Sequence, residues 1–217
     1  MAQETRRLFA ELYRDPARFD ERGRAHQLLE AMFEGFGRYE RTELRKLLRT
    51  TDVHMHRIAL YVVAELGVDM SDVVDDVATL LTSDDRRVRY AAAEVVTRFS
   101  DHSPHLFAEV ARLLDDDDEV VRLRAAELTT KATHLQIAGA LAHEVSRDPQ
   151  SRHVWGLALL AGAPTTDFDL LTALVSEDRL VRFYTVVFAK RTGGDALRLA
   201  IEHNQDTTLS GLLNSRD

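Results

Sequence analysis

Asp85-Arg86-Arg87-Val88-Arg89-Tyr90-Ala91-Ala92 returns 33 residues later as Asp118-Glu119-Val120-Val121-Arg122-Leu123-Arg124-Ala125, and stands 33 residues earlier as Asp52-Val53-His54-Met55-His56-Arg57-Ile58-Ala59. Two looser copies follow at residues 148–155 and 178–185. The fifth place is always basic: His56, Arg89, Arg122, Arg152 and Arg182, separated by 33, 33, 30 and 30 residues. Four residues before each stands an aspartate: Asp52, Asp85, Asp118, Asp148 and Asp178. A self-similar period of this length marks a chain of helical hairpins, because one hairpin cannot bury its own apolar face and needs its neighbours to cover it.

Working outward, a short apolar helix end is expected before each aspartate, as in Leu47-Leu48, Leu80-Leu81, Leu113-Leu114 and Leu174-Val175. The unit is therefore helix A, a turn holding the aspartate, then helix B. Punctuation agrees. Pro16, Pro104, Pro149 and Pro164 all fall between helices or in a first turn, where the ring avoids the cost of about 3 kcal/mol it carries inside a helix. Gly67 and Gly193-Gly194 stand where a helix B should end in the left-handed conformation. The pattern predicts helices near 3–14, 20–34, 40–49, 53–66, 71–81, 85–99, 104–114, 118–132, 134–146, 150–161, 166–176, 179–192, 194–203 and 206–213, with no strand signal.

The Asp-x-x-Val-Arg-x-x-Ala-Ala core at Asp85, Val88, Arg89, Ala92 and Ala93, and again at Asp118, Val121, Arg122, Ala125 and Ala126, resembles the HEAT repeat. It resembles especially the short bacterial kind also described as phycobilisome-lyase-like. The copies at Asp148 and Asp178 depart from it, with Trp155-Gly156 and Thr185-Val186 in place of the small alanines. The resemblance covers residues 40–195 and implies an all-α, right-handed solenoid of about six to seven antiparallel hairpins. The whole chain, 1–217, is expected to form one solenoid domain. Residues 1–39, which carry Phe9, Tyr13, Phe19, Phe33, Phe36 and Tyr39 without the Asp-to-Arg signature, are expected to form an N-terminal capping hairpin, and 196–217 a C-terminal cap.

Composition narrows the function classes. The chain has 217 residues and no cysteine, which removes disulfides, thiolate metal sites and thiol nucleophiles. Acidic residues outnumber basic ones 36 to 28, for a net charge of −8. Such a balance disfavours nonspecific nucleic-acid binding, which draws its affinity from phosphate neutralisation, and suits a basic partner. The start, Met1-Ala2-Gln3-Glu4-Thr5-Arg6-Arg7, is charged rather than apolar, and the longest near-apolar run, residues 154–163, is about half of a membrane span. A cytoplasmic location is the expectation, with no membrane partner.

Catalytic patterns are sparse. No glycine-rich phosphate loop, Gly-x-Ser-x-Gly elbow or His-Glu-x-x-His helix is present. His54 and His56 fall on different helix faces, and His102 and His105 lack a third ligand fixed by spacing. Deoxyhypusine hydroxylase, an iron enzyme built on HEAT repeats, uses recurring His-Glu dipeptides; here His143-Glu144 occurs once. HEAT-like DNA alkylation repair glycosylases set aromatics and an acid in a basic groove, which draws attention to Trp155; the simpler reading is that Trp155 fills space left by Gly156. The expectation is no enzyme, no metal and no cofactor, with a glycosylase-like or bilin lyase-like enzyme or assistant, or a general adaptor, as the alternatives. The Asp and Arg columns read as a structural ladder, the aspartate capping helix B and the arginine bridging to its own or the next repeat's aspartate.

What remains is surface. In HEAT arrays helix B lines the concave side, and two columns after the ladder residue are expected to look outward. Arg57, Tyr61, Tyr90, Glu94, Leu123, Glu127, His153 and Phe183 from these columns form the expected partner-binding set, since large rigid side chains interleaved with charges suit a protein interface. One narrower likeness follows. An aromatic N-terminal hairpin, Leu44-x-x-Leu47-Leu48, Tyr61-Val62-Val63-Ala64-Glu65-Leu66-Gly67 and a run ending Val88-Arg89-Tyr90-Ala91 resemble small bacterial HEAT proteins found beside polymorphic or contact-dependent toxins. That likeness implies an immunity protein, monomeric when free, that binds and occludes a basic toxin domain.

Overall fold

The structure is a computed structural model that describes residues 2–19, 22–67, 69–204 and 206–214. Fourteen α-helices are present among them: α1 (Ala2–Arg14), α2 (Arg22–Phe33), α3 (Arg38–Leu48), α4 (Val53–Glu65), α5 (Val74–Ala78), α6 (Arg86–Phe99), α7 (Leu106–Arg112), α8 (Glu119–Lys131), α9 (His134–Arg147), α10 (Arg152–Leu160), α11 (Asp167–Leu174), α12 (Arg179–Thr192), α13 (Gly194–His203) and α14 (Thr207–Asn214). They match the expected fourteen within a few residues. The expected start of the second helix at residue 20 lies outside the described residues. The clearest difference is α5, where 3-10 turns at Ser71–Val73 and Thr79–Thr82 frame a short α-helical centre. The helices pair in sequence order, as a HEAT-like solenoid requires, within two compact units, Met1–Phe99 and Ser100–Asp217.

In the first unit α2, α4 and α6 pack side by side as one layer, and α1, α3 and α5 pair with them from the other side. Ala59 and Ala92 are fully buried. Their methyl-sized side chains let neighbouring helix B backbones approach closely, which explains the alanine column. Leu44, Leu47, Val62, Val63, Val77, Val88 and Val96 fill the core between the layers, each burial contributing about 1.5–3 kcal/mol. Arginines tie the A layer: Arg45 of α3 and Arg49, which caps its end, both reach Asp76, each at 2.8 Å. At the front, Leu8, Leu12, Leu28 and Met32 close the α1–α2 hairpin. Phe9 meets Tyr39 edge to face, with centroids 6.1 Å apart. The outer side is charged, with Arg7 held between Glu4 and Glu11.

In the second unit α7 packs on α9, α9 pairs with α10, and α13 covers α11 and α12. One departure from simple succession is visible. Helix α12 packs against α8 as well as α10, so that α12 rather than α10 is the principal neighbour of α8 in the B layer. Its flanks are thus covered by α8, α10, α11 and α13, and Leu180, Phe183, Tyr184, Thr185, Val186 and Val187 are all buried. Helix α12 is pinned at both ends. Asp115 receives Arg179 at 3.1 Å and Arg152 at 2.6 Å, and Arg191 donates to the carbonyls of Thr129, Thr130 and Ala132 at 3.1, 2.8 and 2.7 Å, capping the end of α8. Gly193 and Gly194, with φ of 69° and 56°, make the sharp passage into α13. Among the described residues no helix is long and apolar enough to cross a membrane.

Candidate functional site

The repeating Asp and basic columns come first, because they set the helix B orientation. Asp52, Asp85 and Asp118 each use one carboxylate oxygen to accept two amides at the start of helix B, those of His54 and Met55, Arg87 and Val88, and Val120 and Val121. Four of the basic residues make a contact that the spacing did not announce. Arg89 donates to the Ser83 carbonyl at 2.7 Å, Arg122 to that of Asp116 at 2.8 Å and Arg182 to that of Ser176 at 2.6 Å, while His56 Nε2 lies 2.8 Å from the Thr50 oxygen. In each case the partner is six residues back, in the turn between the two helices. The column therefore ties helix B to the orphan carbonyls that end helix A. Arg152 pairs with Asp178 of the following repeat at 3.1 Å, and Arg182 also stands 3.6 Å from Asp206; in the Asp148 copy Ser151 rather than Asp148 caps the helix.

Aspartates are reached across repeats from a different position. Arg57, one residue past the ladder, donates from Nη2 to Asp85 Oδ2 at 2.6 Å. Burial of Asp85 opposes its ionisation, but the Arg57 guanidinium and the amides of Val88 and Arg87 outweigh it and hold the carboxyl below the usual range. Asp178 is held low by the same balance, burial against Arg152 and the Leu180 amide.

Of the expected partner-facing set, the first unit brings four together. Arg57 and Tyr61 lie one turn apart on α4, Tyr90 and Glu94 one turn apart on α6, and the two helices pack side by side. Tyr61 is 37% exposed, and its hydroxyl stands 3.5 Å from His26 Nδ1 of α2. Arg57, Tyr90 and Glu94 are half-buried.

In the second unit the expected set divides. Glu127 is exposed and paired with Arg124 at 2.6 Å, and Leu123 is half-buried. His153 turns inward, its Nδ1 2.9 Å from the hydroxyl of the buried Tyr184, and burial lowers its pKa. Phe183 is fully buried, which corrects the expectation that it meets a partner. The reason is the placement of α12 among α8, α10, α11, α13 and α14, which leaves that column no free side.

Trp155 also needs correction. A Cβ on Gly156 would meet Tyr184 Cδ2 and Cγ at 2.2 Å, so the space at this glycine is taken by Tyr184, not by Trp155. The indole is 44% exposed and lines an open groove of about 550 Å³ between α10 and α11. Sequence reasoning passed over this groove, although its signal was present: Trp155 stands where Ala92 and Ala125 are fully buried, and an indole cannot occupy that packing position.

The histidines and the single His-Glu dipeptide have structural surroundings. Glu144 is fully buried and receives Arg112 through two bonds of 2.8 Å, joining α7 to α9. The rings of His105 and His143 lie 5.9 Å apart, and the side chain of His102 lies outside the described residues. Among the described residues no three histidine, aspartate or glutamate side chains gather as metal ligands would.

Comparison with known proteins agrees with this architecture. Residues 41–129 match the family model described as HEAT repeats. That stretch is thus a run of HEAT repeats, a class of helical hairpin that generally mediates protein binding. It ends before the copies at Asp148 and Asp178. Searches of the curated proteins and of the solved structures each found no match.

Proposed function

We propose that the chain is a non-enzymatic, protein-binding HEAT scaffold that holds its partner on the α4 and α6 face. The observation that carries this reading is the grouping of Tyr61, Tyr90, Arg57 and Glu94 on two adjacent helix B surfaces, with the Tyr61 ring exposed. Aromatic rings among fixed charges give large contact area at low entropic cost. The net charge of −8 supports a basic partner, through faster encounter and exclusion of acidic competitors. The narrower form of the proposal is an immunity protein, cytoplasmic and monomeric until bound, that covers the working surface of a basic toxin domain by steric and electrostatic occlusion. Its support is the likeness carried by Leu44, Leu47, Leu48 and residues 61–67. Among the enzyme alternatives, a glycosylase-like activity calls for a basic groove around its aromatics, whereas among the described residues the groove at Trp155 is lined by Asp169 and by no cation.

The test is affinity capture on the purified chain followed by mass spectrometry, with a Tyr61→Ala, Tyr90→Ala double variant in parallel. A basic protein retained by the parent chain and lost from the folded variant is the expected result. Equal retention by both places the interface elsewhere, and recovery of nucleic acid in place of protein overturns the reading.

A further inference from the structure

The groove between α10 and α11 has apolar walls: Trp155 and Leu159 from α10, Pro164 from the connecting loop, Leu170 and Ala173 from α11, and Val181 from α12. Its volume of about 550 Å³ falls in the usual range for ligand sites, roughly 300–1,000 Å³. It exists because α10 packs on α9 and α12 while α11 packs on α12 and α13, which leaves the flank of α10 that carries Trp155 uncovered.

Among the lining residues Asp169 is the one ionisable group. Its Oδ2 accepts from the Thr166 amide at 3.0 Å and the Thr166 hydroxyl at 2.7 Å, which fixes the carboxylate in place. The same bonds hold its pKa below the usual range. Oδ1 has no partner among the described residues. A fixed carboxylate and an exposed indole face both attract cations, and no cation of the lining satisfies either.

We infer that this groove docks a segment of a partner protein in which an aliphatic or aromatic side chain adjoins a lysine or arginine. The apolar side chain lies against Trp155, Leu170 and Val181, and the cation pairs with Asp169 Oδ1. The inference rests on the reading of the chain as a protein-binding scaffold and gives that scaffold a second surface, built wholly within residues 100–217.

Selection of short randomised peptides on the full chain, followed by titration of the enriched peptides, tests it directly. Trp155 is the only tryptophan, so its emission reports occupancy of the groove. Enriched peptides are expected to carry a lysine or arginine beside an apolar residue, to shift that emission saturably, and to lose binding when the cation is replaced by glutamate. Asp169→Asn, which keeps the Thr166 cap, should weaken binding by about three- to fivefold. Trp155→Phe, followed with labelled peptide, should weaken it by about tenfold. Absence of enrichment, enriched peptides without a cation, or unchanged affinity in both variants overturns the inference. So does shielding of Trp155 with rising protein concentration alone, which would assign the groove to a second copy of the chain. None of these outcomes alters capture through Tyr61 and Tyr90, and loss of that capture leaves the peptide titration intact, so the two readings fail separately.

Discussion

Gly156 lies directly against the ring of Tyr184, so close that a methyl group there would stand 2.2 Å from two of the ring's carbons. Tyr184 is fully buried and its hydroxyl is engaged by His153 at 2.9 Å, so the ring cannot swing aside. Gly156→Ala is therefore expected to destabilise the chain by about 1–3 kcal/mol, despite the gain in helix propensity that alanine brings elsewhere. Urea denaturation of the two chains checks it. The same change at exposed Gly211, with nothing within 4 Å of its Cβ position, should be neutral or slightly stabilising.

The His153–Tyr184 contact also sets a pH dependence. Burial lowers the His153 pKa in the folded state, so the unfolded chain binds the proton more readily below about pH 6.5. Stability from this group is complete above that value and falls as pH drops from it toward the folded-state pKa. Asp85 and Asp178 act in a lower window. Their depressed pKa values stabilise the fold above about pH 4, and this contribution is lost as pH falls through the folded-state values. Urea midpoints measured from pH 8 to pH 3 should fall in two stages, and His153→Gln should remove the upper stage alone.

The repeated aspartates are not equivalent. Asp118 accepts the amides of Val120 and Val121 at the start of α8, whereas Asp148 accepts only that of Gln150 and leaves the capping of α10 to Ser151. Asp118→Ala is expected to cost about 1 kcal/mol, and Asp148→Ala only a few tenths. Ser151→Ala should in turn cost more than Asp148→Ala. Chemical denaturation of the three variants decides the order.

This difference shows how far the sequence could be read. Helix number and order followed from a periodicity that local chemistry enforces: an oxygen acceptor is needed wherever a helix begins, and an apolar stripe wherever it packs. The carbonyl contacts of the arginine column were not legible, because they depend on turn geometry, which brings the carbonyls of Ser83 and Asp116 within reach of Arg89 and Arg122. The groove was legible only in part, through an indole in the column of the buried alanines Ala92 and Ala125. Spacing gives the period of the repeats but not which helices become neighbours, so the packing of α12 on both α8 and α10 left no pattern to read.

The same limit separates two aromatics that the repeat alignment places in neighbouring columns. Phe183, in the column of Arg57 and Tyr90, is fully buried on α12, while Tyr61 is 37% exposed on α4. Phe183→Ala removes a ring from a closed core and should destabilise by about 3–5 kcal/mol, enough to populate the unfolded chain. Tyr61→Ala removes a partly exposed ring whose hydroxyl stands 3.5 Å from His26 Nδ1 and should change stability by about 0.5 kcal/mol or less. If the α4 and α6 face is the interface, Tyr61→Ala costs partner affinity by about tenfold or more at unchanged urea midpoint. Calorimetric titration against the captured partner, run beside the denaturation curves, distinguishes a binding residue from a core residue. A Tyr61 variant with full affinity would move the interface away from this face.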